Sequence, residues 1–397
     1  MKNQIFLIVL IFIPMIMPIP KITLHSPICL EDANFQPDNL MSNDNMQSSS
    51  QEPKPWLSVF VYGTIAYIGA GEDFILLDVS NPISPKFIST MPFSDLIINI
   101  FVLDNYAYLA NRYDGLQIVN VSDPYNPRRV GSHSIRGSAR GVQVKDSNVY
   151  MTVGQPGLLV YNVSNLTNPK EFGYCSLPGY SRKLQVVGNY AYVPANTAGF
   201  RVVDISNPSN PTEVESLSSP NGVGVYVEGA YAYFMDIETG LWIVDTSDPT
   251  NLKVIGSYSA IGNAHHIHVI GGYAYLTDAE MGLRILNVSD PVEPREVGVL
   301  STPGLSREIR LVGSYAYVAD YDSVRIIDVS TPTSPIEVSF FGITNYSSIV
   351  FSDNTPIKWL FDLLHSDFLT LALMGLVIVE TVIIVRLLVF NKKRNES

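Results

Sequence analysis

Arg140, Arg182, His265 and Arg307 are separated by 42, 83 and 42 residues, and Gly141, Lys183, His266 and Glu308 follow them directly. Basic residues that return at multiples of one period occupy equivalent places in a repeated unit, so a closed array brings them to one place. Converging guanidinium groups bind carboxylates or phosphates through paired N–H donors. Arg140, Arg182, Lys183, His265, His266, Arg307 and Glu308 are therefore the candidate ligand-binding residues. The competing expectation is that these charges pair with carboxylates of neighbouring units and seal the space between them.

Two further sets bear on metals and modification. His265-His266-Ile267-His268 carries three imidazoles, but on a strand His266 and His268 share one face and His265 takes the other. At most two ligands come directly from that run, and no carboxylate or cysteine at matching spacing completes a set. Asp236, Asp278 and Asp320 are candidate calcium ligands, set against the plainer expectation that they close turns. No cofactor is expected, calcium at these aspartates being the one candidate. Asn120, Asn162, Asn165, Asn287 and Asn345 begin Asn-x-Ser/Thr patterns, which are glycosylation acceptors when exposed. Several coincide with a recurring turn that needs Asn for its own reasons. No nucleophile motif, phosphate loop or nucleotide fingerprint stands out, so the sequence shows no enzyme.

The elements that position these residues come from a repeat. Asp78-Val79-Ser80-Asn81-Pro82 returns in variants beginning at Asn120, Asn162, Asp204, Asp245, Asn287 and Asp328, always 41 or 42 residues on. Each repeat holds four apolar runs bounded by Gly, Pro, Asn or Asp. In the third these are 141–145, 148–153, 157–161 and 170–176, rich in β-branched and aromatic residues. Four short antiparallel strands in about 40 residues make one propeller blade. Such a blade has two apolar faces, and radial closure gives it a neighbour on each. In the mark, Asp or Asn followed by Ser closes a turn and the proline ends strand pairing. The expected fold is all-β: a seven-bladed propeller of four-stranded blades over 57–354, plus one C-terminal transmembrane helix. A run at 347–354 resembles the first strand of an eighth set, which either replaces or flanks the strand at 57–61.

The segments Gly115-Leu116-Gln117-Ile118-Val119-Asn120, Gly199-Phe200-Arg201-Val202-Val203-Asp204 and Gly282-Leu283-Arg284-Ile285-Leu286-Asn287 resemble the LVIVD repeat. Tyr190-Ala191-Tyr192, Tyr231-Ala232-Tyr233, Tyr273-Ala274-Tyr275 and Tyr315-Ala316-Tyr317 are similar to its second strand. The resemblance covers about 57–345. It implies a propeller-like surface or secreted protein of bacterial or archaeal type, and no particular chemistry.

Both ends carry membrane signals. Residues 1–20 read as a signal peptide, with Lys2 ahead of an apolar stretch broken by Pro14, Pro18 and Pro20. Residues 21–56 read as a disordered linker rich in Asn, Ser, Gln and Pro. After a juxtamembrane segment, 355–367, the run 368–390 is long enough to cross a bilayer and holds only two charges, Glu380 and Arg386. Lys392, Lys393 and Arg394 in the tail 391–397 place the C-terminus in the cytoplasm and the propeller outside. The net charge of −12 argues against nucleic acid as a partner. The expected function is a cell-surface binding or adhesion scaffold, anchored by a single pass and meeting a protein or glycan. The alternatives are a hydrolase or lyase at the Arg/His channel mouth and a structural envelope subunit.

Overall fold

The computed structural model describes residues 55–259, 262–279, 281–344 and 347–352. The proposed signal peptide, linker up to residue 54, juxtamembrane segment, transmembrane helix and cytoplasmic tail lie outside them, as does Asn345. Among the described residues no helix is long and apolar enough to cross a membrane.

Seven antiparallel sheets follow one another along the chain, each built from consecutive strands in sequence order from the axis outward. Blade 1 spans 56–92, and blades 2 to 7 begin at 97, 139, 185, 222, 264 and 306. The ring is closed by packing. Buried apolar clusters join each blade to the next, and the last of these joins blade 7 to blade 1 through Val59, Val61, Ile68, Tyr317, Val324 and Phe341. Burying apolar surface at every joint is the main force holding the ring.

The second strand shows why the repeat is so regular. Its first alanine (Ala66, Ala107, Ala191, Ala232, Ala274 and Ala316) is fully buried, and so is Val149, which takes the place in blade 3. The following tyrosine is buried in every blade, from Tyr67 to Tyr317, and burial raises its phenol above the ordinary range.

Each turn mark is an Asx turn. The leading carboxylate or amide oxygen accepts the N–H of the serine two residues on, at 2.8–3.1 Å in all seven copies. The turn also docks on the preceding blade. A Cβ on Gly131, Gly173, Gly256 or Gly298 would lie only 1.8–2.1 Å from a carbonyl oxygen in the next blade's turn. Blades 1 and 7 carry serine at this place: Ser89 Oγ donates to the Pro124 carbonyl and Ser339 Oγ to the Pro82 carbonyl.

The inner ends of five joints are stitched as well. The N–H groups that open the inner strands of blades 2, 3 and 5, and that of Ser181 ahead of blade 4, donate to a loop carbonyl of the preceding blade, as in Ala139 to Arg112 at 2.7 Å. Trp56 donates to the Tyr321 carbonyl at 2.6 Å in the same way, so the joint between blades 7 and 1 matches these four. Blade 1 begins at Trp56, which is 4% exposed. The run at the end neither replaces nor flanks that strand. Ser347–Ser352 pairs with Ile336–Thr344 as a fifth strand on the outer edge of blade 7, because all four ladder positions of blade 1 are already filled.

Candidate functional site

The inner strand of each blade is irregular at one point. Pairing with the second strand skips a residue at Leu57, Ile98, Arg140, Val223, His265 and Arg307. A bulge leaves its extra residue without a ladder partner and re-aims the side chain. These are the ring positions obtained by aligning the repeats. In blade 4 the regular strand covers only Gln185–Val187, and Arg182 is held by its N–H to the Pro194 carbonyl at 2.8 Å. Gly141 makes room beside it, since a Cβ there would meet Lys183 Cα at 2.8 Å.

The structure brings the cations of this ring together in two groups joined by Arg182. Arg140 Nε donates to Tyr180 Oη at 2.7 Å, and the Arg140 and Arg182 guanidiniums lie 4.9 and 5.7 Å from the Tyr180 ring centre. Tyr180 in turn rests against Gly154, where any Cβ would come within 2.9 Å of the ring. Arg182 donates from Nε and Nη2 to Asn196 Oδ1 at 3.3 and 3.2 Å. On the other side Arg307 Nη1 donates to His265 Nε2 at 2.9 Å. Because arginine only donates, His265 accepts through Nε2 and carries its proton on Nδ1.

The electrostatics follow from burial and crowding. Burial lowers Arg140, and the Arg182 charge adds to that while Tyr180 opposes it. Burial and then Arg182 lower Arg307. Burial, followed by the Arg307, Arg182 and Lys183 charges, holds His265 well below the usual imidazole range, so it is neutral at neutral pH.

The next position inward is organised differently. Lys183 Nζ meets Glu308 Oε2 at 2.9 Å, across the axis from blade 4 to blade 7. Glu308 also accepts the Val59 N–H at 3.3 Å and Asn99 Nδ2 at 3.1 Å, while Asn99 Oδ1 accepts the Val142 N–H at 3.0 Å. His266 Nε2 lies 3.8 Å from Glu308 Oε1. Burial pushes the Glu308 carboxyl up and the Lys183 ammonium down, and each partner's charge opposes that shift. This level thus holds an ion pair between blades, and the level above it holds the guanidiniums.

The histidine run divides among these levels. His265 faces Arg307, His266 faces Glu308, and His268 lies against Tyr226 with ring centres 4.5 Å apart. Asp236, Asp278 and Asp320 are buried in three separate blades. Asp236 accepts the N–H groups of Asn221, Glu238 and Thr239. Asp278 faces the Met281 N–H and Arg284. Asp320 holds Thr302, Ser306, the Gly304 N–H and Arg325. Each therefore clamps the loops of its own blade. Among the described residues no group of three His, Cys, Asp or Glu is arranged to hold a metal ion. Asn120, Asn162 and Asn287 spend their amide oxygens on the turn mark, and Asn165 accepts the Thr167 N–H and hydroxyl.

Sequence alignment of the repeats missed Tyr180 and Asn196, which orient the arginines from loops beside blade 4. The repeat offered little signal for them: Pro178-Gly179 recurs as Pro303-Gly304 ahead of blade 7, and only the tyrosine that follows it is particular to blade 4.

Comparison with known proteins agrees on the fold. A family model described as the LVIVD repeat matches residues 57–91, 98–134, 136–176, 178–218, 222–260, 261–302 and 303–341. Among solved structures, a functionally unknown protein from Desulfotomaculum acetoxidans DSM 771 is similar at TM-score 0.59 and 11% identity, covering 71% of this chain and 96% of that one. The computationally designed Ika8 protein is similar at TM-score 0.57 and 9% identity, over 76% and 97%. The WD40 repeats of RRP9 are similar at TM-score 0.56 and 9% identity, over 68% and 88%. At these identities the likeness is one of fold alone. No curated protein matches the chain. With seven matches that together fill the propeller, the chain belongs to the LVIVD-repeat family.

Proposed function

We propose that this protein is a membrane-tethered binding scaffold, displayed outside the cytoplasm and recognising a protein or glycan partner. The observation that carries the reading is the contrast between a repeated frame and a non-repeated ring. Seven blades share their tyrosines and turns, and six of them the alanine, yet the bulged positions and their blade 4 equivalent carry Leu57, Ile98, Arg140, Arg182, Val223, His265 and Arg307. A rigid frame that presents different side chains around one axis suits recognition. The apolar run 368–390 and the basic tail supply the tether and its orientation.

The test is protease treatment of intact cells that carry the full chain with a C-terminal tag. The propeller should be cut from outside while the tag stays protected until the membrane is opened. A tag cut in intact cells, or a chain released into the soluble fraction, would overturn the reading.

A further inference from the structure

We propose that Arg140, Arg182 and Arg307, with His265 beside them, form a site for one compact oxyanion, a carboxylate or phosphate group, reached along the propeller axis. The site deepens the scaffold reading by giving the chemistry of what is recognised there.

The first argument is convergence. Arg140 and Arg182, from blades 3 and 4, meet at the Tyr180 ring at 4.9 and 5.7 Å, and the Arg182 charge also bears on Arg307 of blade 7. Bringing like charges together in a partly buried place costs free energy that an anion between them recovers. The carboxylate nearest to them in sequence, Glu308, is engaged one level deeper with Lys183, Asn99 and the Val59 N–H. It is not placed to neutralise them.

The second argument is an unused donor. Arg307 Nε is buried and has no hydrogen-bond partner among the described residues. Arg307 spends Nη1 on His265, which fixes the plane of the guanidinium. A buried donor without a partner is destabilising, and more so when charged. The side chain is thus locked in an orientation that a ligand oxygen would complete. His265 fits the same design. Being neutral, it adds no further positive charge, and its Nδ1–H remains a donor.

The third argument is the support beneath. Tyr180 is pinned between Gly154 and the two arginines, and Asn196 holds Arg182 through two of its nitrogens. The tyrosine ring, covered by the two guanidiniums, holds them in place for an oxyanion instead of offering a surface of its own.

Titration calorimetry on the full chain in detergent at low ionic strength tests the site, with inorganic phosphate and glucuronate as probes and glucose as the neutral control. At least one oxyanion should bind with a stoichiometry near one, and glucose should not. Arg307→Gln should weaken that binding by about tenfold or more, the worth of one charge-assisted bond. Arg128→Gln, at an exposed position on the outer strand of blade 2, should leave it unchanged. If Arg307→Gln fails to fold, Arg307→Lys keeps the charge but removes Nε, and should still lose severalfold. Failure of both oxyanions to bind, or equal affinity in the Arg307 variant that folds, overturns the site. Cell-surface display is judged by protease protection, so loss of the site and loss of the scaffold reading are distinguishable. Phosphate binding without glucuronate would mark a phosphoryl ligand, and the reverse an acidic sugar.

Discussion

The rim and the axis of this propeller solve the same problem, joining one blade to the next, by different means. At the rim the joint is backbone: in six blades an Asx turn presses a carbonyl onto a glycine or serine of the blade before it, and blade 4 departs with Glu215 at that place. At the axis side chains add to the backbone stitches, and their residue types vary around the ring. Asn99 reaches the Val142 N–H, Gln143 the Val186 N–H, Gln185 the Val227 N–H and Glu308 the Val59 N–H. Backbone contacts constrain the sequence to residues with almost no side chain. Side-chain contacts need only an acceptor of suitable reach, so the residue type is free to diverge. Chemistry therefore collects at the axis.

The largest effect should come from breaking the axial ion pair. Lys183→Ala leaves the Glu308 carboxylate, 7% exposed, without its cation. Loss of one partner of a buried pair costs about 3–5 kcal/mol, and the partial exposure of Lys183 points to the lower end. Urea unfolding should show that loss, with much of it recovered in Lys183→Met/Glu308→Gln. A loss below about 1 kcal/mol would mean that Glu308 is held by its other donors alone.

Next is the rim. In Gly256→Val a new Cβ falls 1.9 Å from the Pro291 carbonyl, an overpacking that should cost about 2–3 kcal/mol. Gly256→Ser should cost less than half as much, because Ser89 and Ser339 fill the same place by donating to that carbonyl. Equal losses in thermal unfolding would show that the rim joint tolerates no side chain at all.

A pH titration sharpens the contrast from the axial side. Burial, with Arg310 beside it, pushes His268 down to about 3. Its unfolded value is near 6.5, so below that pH the unfolded chain binds a proton that the folded one does not. Stability should then fall with pH between 6.5 and about 3, by about 1.4 kcal/mol per pH unit for this group. In His268→Gln the slope between pH 6 and pH 4 should be shallower by about that amount. Tyr226 and Arg310 face His268 and stay protonated across this range, whereas His265 and His266 titrate low for the same reason and keep part of the slope in the variant. An unchanged slope would remove His268 from the account.

The smallest effect belongs to a single turn. Asn162→Ala removes one acceptor at 3.1 Å and should cost about 0.5–1 kcal/mol. Native-state hydrogen exchange should confine the change to blade 3 and its joint with blade 2. A global change would mean that the turns are coupled around the ring.

These two regions were also unequally legible. Each turn mark acts within a few residues of itself, so Asp204 and Ser206 announce their hydrogen bond in the sequence. The ring of Arg140, His265 and Arg307 was legible too, because the bulge recurs at one place in the repeat and alignment preserves it. The docking partner of Gly256 was not, since it lies one blade away and glycine leaves no trace of what approaches it. Nor was the cross-axis pairing of Lys183 with Glu308, because their separation in the chain says nothing of which inner residues meet. The alignment also placed Arg182 on a full inner strand, where the regular strand is three residues long. Pro178-Gly179 does not mark the difference, since Pro303-Gly304 stands at the same place ahead of the full inner strand of blade 7.

The joint between the last blade and the first bears on how the chain reaches its native state. All four strands of blade 1 come from one stretch of sequence, and none is lent by the far end of the ring. Blade 1 can therefore finish its sheet as soon as it leaves the ribosome, with each later blade adding to a completed neighbour. The final step is then a docking of two finished surfaces around Trp56 and Phe341. It needs no strand to be inserted, so the order of synthesis and the order of assembly can run together.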